Sequence, residues 1–220
     1  MEALIRGVIF DMDGVITDTE RLFLSSWGQI MAERGLPRHE DVVAHCIGLN
    51  HAATKAYVTQ RMGADFDYDR TMEEVNRRSR RYMDDHGVPV KPGLYGLLDY
   101  LDAHRLPYAV ATSTAQVRAR PRLEEIGVLP RLKALVTGDM VQHGKPDPDI
   151  FLLAASRLHL PPEDCVVLGD SPHGILAASR AGCHPVMIPD LKEPDPETQQ
   201  LLLGTVKTLA DVIPLLDQLT

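Results

Sequence analysis

The chain reads as an α/β protein, a parallel-sheet core with an all-helical unit inserted after the first strand. Three observations carry this reading. A short apolar run, Val8-Ile9-Phe10, stops abruptly at acidic residues, as a buried strand does at the edge of a sheet. Residues 19–88 then carry no strand signal but several helical periods. Beyond residue 90, apolar strands and amphipathic helices alternate, which is the sequence pattern of a parallel sheet.

Taken in order, Val8, Ile9 and Phe10 are β-branched or aromatic, with no polar alternation. That suits a strand covered on both faces. Asp11 and Asp13 follow at its carboxyl end, and strand alternation sends both carboxylates to one side and Met12 to the other. Such a pair is tolerated with a cation between the two, or with one group protonated; the plainer alternative is a solvated acidic turn. Residues 20–34 repeat Leu22, Phe23, Trp27, Ile30 and Met31 at a helical period, and Gly35-Leu36-Pro37 ends the helix. Helices over about 39–46 and 52–62, separated by Gly48-Leu49-Asn50-His51, and a longer one over 69–86 complete the inserted unit. The prolines and glycine of Val88-Pro89-Val90-Lys91-Pro92-Gly93 mark a linker.

The second half predicts a helix over 94–104 and a strand over 108–111 that ends in Thr112-Ser113-Thr114. A helix over 116–126 follows, in which Pro121 signals a kink or a late start. A strand over 134–137 leads to a helix over 148–158, with Asp147 as its cap and Pro148 at its first position. A strand over 165–168 ends in Gly169-Asp170-Ser171, and a helix runs from there to 181, stopped by Gly182. A strand over 185–188, a polar loop over 190–200 and a closing helix over 208–219 finish the chain. The expected division is a core of residues 1–17 and 90–220 and a helical unit of residues 18–89.

The 44% hydrophobic and 25% charged fractions are those of an ordinary globular protein. A formal net charge of −8 argues against broad contact with nucleic acid or an anionic membrane. Cys46, Cys165 and Cys183 are widely spaced and odd in number, which suits a reducing compartment and shows no zinc-type pairing. No signal-peptide pattern opens the chain, and no apolar run approaches the ~20 residues that cross a bilayer. The expected setting is cytoplasmic.

The strand ends carry the chemistry. Asp11 and Asp13 follow the first strand, Thr112 and Ser113 the second, and Asp170 the fourth; Lys145 precedes a marked helix start in Gly144-Lys145-Pro146-Asp147. In a parallel sheet these positions converge on one edge. A carboxylate there can attack phosphorus, and a second can protonate the leaving oxygen and later activate water. A hydroxyl and an ammonium can hold phosphoryl oxygens, and a magnesium ion can offset their charge.

This constellation, in this order, resembles the haloacid dehalogenase (HAD) superfamily of phosphotransferases. Residues 11–18 look like its first motif, Thr112 its second, Lys145 its third and Gly169-Asp170-Ser171 its fourth. The resemblance implies a Rossmann-like core with an inserted helical cap. It implies Asp11 as nucleophile and Asp13 as general acid/base, with Thr112 and Lys145 holding the phosphoryl group. It also implies a Mg²⁺ ion bound by Asp11, the backbone carbonyl of Asp13, and Asp170. Asp18-Thr19-Glu20-Arg21-Leu22 and residues 143–151 look most like phosphatases of the β-phosphoglucomutase and pseudouridine-5′-phosphatase group. The partner expected is a small phosphorylated metabolite, with neither nucleic acid nor membrane, and the protein a monomer or weak dimer.

Two features depart from the pattern. A second acidic residue often accompanies the fourth-motif aspartate, just before it or four residues after; here those places are Gly169 and Gly174. The mutases usually carry a cap-hinge histidine where this chain has Phe23. Simple hydrolysis is therefore the leading reading. A phosphomutase, and a binding protein that has lost turnover, are its rivals. On the cap, Arg78 or Arg81 could reach an anionic substrate group or simply belong to a solvated helix face with Arg77 and Arg80. His51 could face the site or solvent, and Phe23 and Trp27 could pack the cap or floor a sugar site.

Overall fold

Gly7–Phe10 forms β1, and all of it is buried. The protein is seen in a computed structural model that describes residues 4–46, 49, 51–63, 65–191 and 193–219. Of the predicted break at 48–51, Gly48 and Asn50 lie outside the described residues.

The chain leaves β1 into four helices: α1 (Thr19–Glu33), α2 (Glu40–His45), α3 (His51–Met62) and α4 (Tyr68–His86). Their apolar stripes meet in a cluster of their own, around Trp27, Ile30, Met31, Val42, Val58 and Val75. Trp27 donates its indole N–H to the Arg38 carbonyl at 2.6 Å. Ser26 on α1 meets Ser79 on α4 at 3.1 Å. The Asp67 carboxylate accepts from the Arg70 amide and caps α4, satisfying one of the donors a helix start leaves open.

The core then alternates α5 (Leu94–Ala103), β2 (Tyr108–Thr112), α6 (Gln116–Glu125), β3 (Ala134–Thr137), α7 (Asp149–Leu158), β4 (Cys165–Gly169), α8 (Pro172–Arg180) and β5 (His184–Met187). α9 (Pro196–Gln199), β6 (Gly204–Thr205) and α10 (Val212–Leu216) close it. The six strands lie in the order β3-β2-β1-β4-β5-β6, every pair parallel. Phe10 pairs with both Val110 and Leu168, so three strands end nearly level. β1 stands where the order reverses, the place where such sheets open a crevice.

Strand alternation splits the core in two. Val8, Phe10 and Met12 join the leucines of α5 and Val212 and Leu216 of α10 on one face. Ile9, Ala109 and Val167 lie under Phe151 and Ala154 of α7 and Ala177 of α8 on the other. Each large apolar side chain so buried contributes roughly 1.5–3 kcal/mol.

The two passages between core and helical unit run beside each other. Thr17 bridges antiparallel to Val90, the Asp18 amide donates to the Pro89 carbonyl at 2.9 Å, and the Lys91 amide to the Ile16 carbonyl at 2.9 Å.

Five local features differ from expectation. The polar stretch 190–200 contains the short helix α9, capped by Asp195. The two-residue strand β6 has no apolar run to announce it. The closing segment is a 3₁₀ turn, Leu209–Asp211, leading into the five-residue α10. Pro148 stands at the N-cap of α7 rather than inside it, and Asp147 does not cap it; the Asp149 carboxylate instead meets the backbone and ring of His143 at 3.3 and 3.0 Å. Pro121 lies inside α6, which starts at Gln116 and so not late.

Among the described residues, no helix is long and apolar enough to cross a membrane. The three cysteines are buried, and none of them forms a disulfide among the described residues.

Candidate active site

The carboxyl edge of the sheet floors a cavity of about 760 Å³ between the core and helices α1–α4. Asp11, Asp13, Thr112, Ser113 and Asp170 all line it, and Lys145 lies just behind, 2% exposed.

Asp11 is the first residue past β1 and is 5% exposed. One carboxylate oxygen accepts the Met12 amide at 2.9 Å, and the other accepts from the Lys145 ammonium. Burial pushes the Asp11 carboxyl above its ordinary range, and the Lys145 charge opposes that push. Lys145 also reaches the Ala111 carbonyl at 3.4 Å and stands 5.0 Å over the Phe151 ring. An ammonium this buried is tolerated because a carboxylate, a carbonyl and a ring face replace its water.

Asp13 faces the cavity and is held by three donors: Thr19 Oγ1 at 2.5 Å, Thr114 Oγ1 at 2.7 Å and the Arg122 guanidinium at 3.2 Å. Thr112, wholly buried at the end of β2, accepts the Thr114 amide on its hydroxyl at 3.1 Å. The backbone turn at Ser113 is tight against Gly138, where a Cβ would come within 2.4 Å of the Ser113 carbonyl oxygen.

Asp170 follows β4 and is 2% exposed. Ser171, not Asp170, caps α8, accepting the Gly174 amide at 3.2 Å. Burial first, and then the Asp11 charge, push the Asp170 carboxyl up to about 7. Its Oδ2 is buried without a hydrogen-bond partner among the described residues. So are Glu20 Oε2 and Asp190 Oδ2, and one oxygen from each of the three carboxylates lies within 4.8 Å of the others. Burial and the neighbouring Asp170 charge hold Glu20 well above the usual carboxylate range. Oxygen donors of this kind, with unmet acceptor capacity, are a donor set for a hard divalent cation.

The two glycines of the fourth motif differ in outlook. A Cβ at Gly169 would meet the Ile175 side chain at 3.4 Å, whereas one at Gly174 would lie 3.6 Å from Asp11 Oδ2.

The cap candidates separate. His51 opens α3, lines the cavity and stacks on Tyr68. Phe23 and Trp27 line it too, Trp27 as part of the cap cluster. Arg78 is not among the residues that line the cavity: its two terminal guanidinium nitrogens donate to Glu33 on α1 at 2.8 Å, and one of them to Gln29 at 3.3 Å. α4 turns that side chain outward to a complementary charge.

Four participants are given no role by the motifs: Thr19, Glu20, Arg122 and Asp190. Arg122 arrives from the second half of α6, and Asp190 from beyond β5, where Arg21 and Lys91 bond its Oδ1 at 2.8 and 2.9 Å. Asp190 lies three residues past the end of β5, at the same edge of the sheet, a signal that could have marked it.

Comparison with known proteins agrees with this geometry. Residues 8–188 match the family model described as haloacid dehalogenase-like hydrolase. A phosphorylated carbohydrates phosphatase of Thermotoga maritima is 32% identical over 176 residues, 80% of this chain and 81% of that protein. A beta-phosphoglucomutase of Bacillus subtilis is 31% identical over 184 residues, 80% of each. The crystal structure of a hydrolase from Pseudomonas syringae superposes with a TM-score of 0.81 at 26% identity, covering 97% of this chain and 99% of that one. Matched by that family model over residues 8–188 and by relatives over about four fifths of its length, the chain belongs to the haloacid dehalogenase-like hydrolase family.

Proposed function

We propose that the protein is a Mg²⁺-dependent phosphatase that hydrolyses a small phosphate monoester, a sugar phosphate or a nucleotide-like compound, through a phospho-Asp11 intermediate. The observation that carries this reading is the pairing of buried Asp11 with buried Lys145 on the floor of a cavity whose wall presents Asp13. A carboxylate beside an ammonium is a nucleophile placed next to the charge that receives phosphoryl oxygens.

In the first step an Asp11 oxygen attacks phosphorus. The new O–P bond forms as the ester P–O bond breaks, and Asp13 delivers a proton to the departing alcohol oxygen. In the second step water attacks phosphorus, Asp13 takes its proton, phosphate departs and the Asp11 carboxylate returns. Thr19, Thr114 and Arg122 orient Asp13 for both transfers. Lys145 and the Thr112 hydroxyl hold phosphoryl oxygens. Asp11, the Asp13 carbonyl and Asp170 would hold the cation, which would supply charge neutralisation at the phosphoryl group. The helical cap, residues 18–89, covers the leaving group and keeps bulk water out.

A phosphomutase is the second reading, favoured by the Bacillus subtilis relative. Phe23, an apolar wall residue where those mutases usually carry a histidine, weighs against it. Phosphate release from p-nitrophenyl phosphate and a panel of sugar phosphates and nucleotides tests the proposal. Turnover is expected with Mg²⁺, lost with EDTA and lost in Asp11→Asn. Hydrolysis that survives Asp11→Asn refutes the intermediate, and transfer within one sugar with little free phosphate selects the mutase.

A further inference from the structure

The acidic residues around Asp170 outnumber what the protein itself can neutralise. Asp11 is paired with Lys145, Asp13 with Arg122, and Asp190 with Lys91 and Arg21, both of which also lie near Asp18. Six carboxylates, counting Glu20 and Asp170, thus share four cationic side chains, and the two without a cation are Glu20 and Asp170. Fully ionised, the two would leave a deficit of two charges.

The unmet oxygens coincide with that deficit. Glu20 Oε2, Asp170 Oδ2 and Asp190 Oδ2 are each buried with no hydrogen-bond partner among the described residues. Asp170 is 2% exposed and the Asp190 side chain 0%. Carboxylate oxygens of these three residues lie within 4.8 Å of one another, a spread that one cation with bonds of about 2.1 Å can draw together. Gly14 keeps the space open: a Cβ there would stand 2.2 Å from Asp170 Oδ2 and 3.2 Å from Glu20 Oε2.

We infer that Glu20 and Asp190 complete the coordination of the divalent cation held by Asp170, in place of the acidic residue that Gly169 and Gly174 omit. Glu20 comes from the first turn of α1, and Asp190 from the loop after β5. The metal site is thereby built across the core and the first cap helix, rather than within the fourth motif. The inference rests on the reading that a divalent cation serves this site, but not on turnover.

Mn²⁺ binding to the full chain, followed by the electron paramagnetic resonance of free Mn²⁺ and by Mg²⁺ competition, tests it. Glu20→Gln keeps the shape and removes the charge. Its Mn²⁺ Kd is expected to rise by about tenfold or more, and the Mg²⁺-induced rise in melting temperature to shrink with it. A Kd within about twofold of the parent chain overturns the inference. If Glu20→Gln does not fold, Asp190→Asn is read against the same thresholds. A chain that binds Mn²⁺ through Glu20 yet releases no phosphate from any ester refutes the hydrolase reading alone. Hydrolysis with binding indifferent to Glu20 and Asp190 refutes this inference alone.

Discussion

Gly14 shows how narrowly single residues constrain the site. Its φ of +79° lies in the left-handed region, where a side chain costs conformational energy that glycine avoids. The space is closed as well, because a Cβ would overlap Asp170 Oδ2. Gly14→Ala therefore has to displace Asp170, a buried neighbour at the floor of the cavity. We expect a loss of about 1–3 kcal/mol in stability and a fall in turnover of about 100-fold, the usual result of shifting a reacting group by an ångström. Urea denaturation and phosphate release measure the two; an alanine variant with parental turnover would contradict this account of the close approach. Asp11 and Asp170 were legible in the sequence because each follows an apolar strand directly, and a parallel sheet brings strand ends together. Glu20 was not, because its place beside Asp170 depends on the turn that carries the chain from β1 into α1. Arg78 reads from sequence either as a cation available to substrate or as part of a solvated helix face, and Glu33, 45 residues earlier at the end of α1, holds it on that face.

At the scale of elements, helices α1–α4 keep a core distinct from the two clusters that flank the sheet. Trp27 is its largest fully buried member and anchors the turn after α1 through Arg38. Trp27→Ala removes that packing and leaves the Arg38 carbonyl without its donor, a loss of about 3–5 kcal/mol. Because the cluster belongs to the cap, the loss should fall there first. Two transitions in thermal unfolding are expected, the first lowered in the variant and the second unchanged. The KM for sugar phosphates should rise more than that for p-nitrophenyl phosphate, whose leaving group needs less from the cap. A single transition shifted as a whole would show that cap and sheet unfold as one unit. The long elements were readable because their apolar periods are sustained, from Leu22 to Met31 in α1 and over Val8 to Phe10 in β1. β6 and α9 were not. Two residues of strand and one turn of helix carry no period, and their places are set by pairing with β5 and by the Asp195 cap.

The whole molecule couples this site to stability, because its buried acids have to give up protons or find a cation as pH rises. Asp170 is pushed up to about 7, and Asp11 and Glu20 are raised as well, burial being the first cause in each. In the unfolded chain the same groups titrate near their ordinary values of about 4. Between about pH 4 and about pH 7 the folded, metal-free protein therefore holds more protons than the unfolded one, and its stability falls as pH rises. Below about pH 4 both states are protonated at these groups, and this contribution is fully present; above about pH 7 the Asp170 share is spent. The melting temperature in EDTA should therefore drop between about pH 5 and about pH 8, by several degrees for a domain of this size. Asp170→Asn, which cannot ionise, should flatten that drop. Mg²⁺ should act in the opposite sense, raising the melting temperature more at about pH 8 than at about pH 5, because a cation binds the carboxylates that protons have left. An EDTA profile that rises over this window, or that keeps its slope in Asp170→Asn, would mean that other groups govern the pH response and that the buried acids beside Gly14 are already neutralised within the fold.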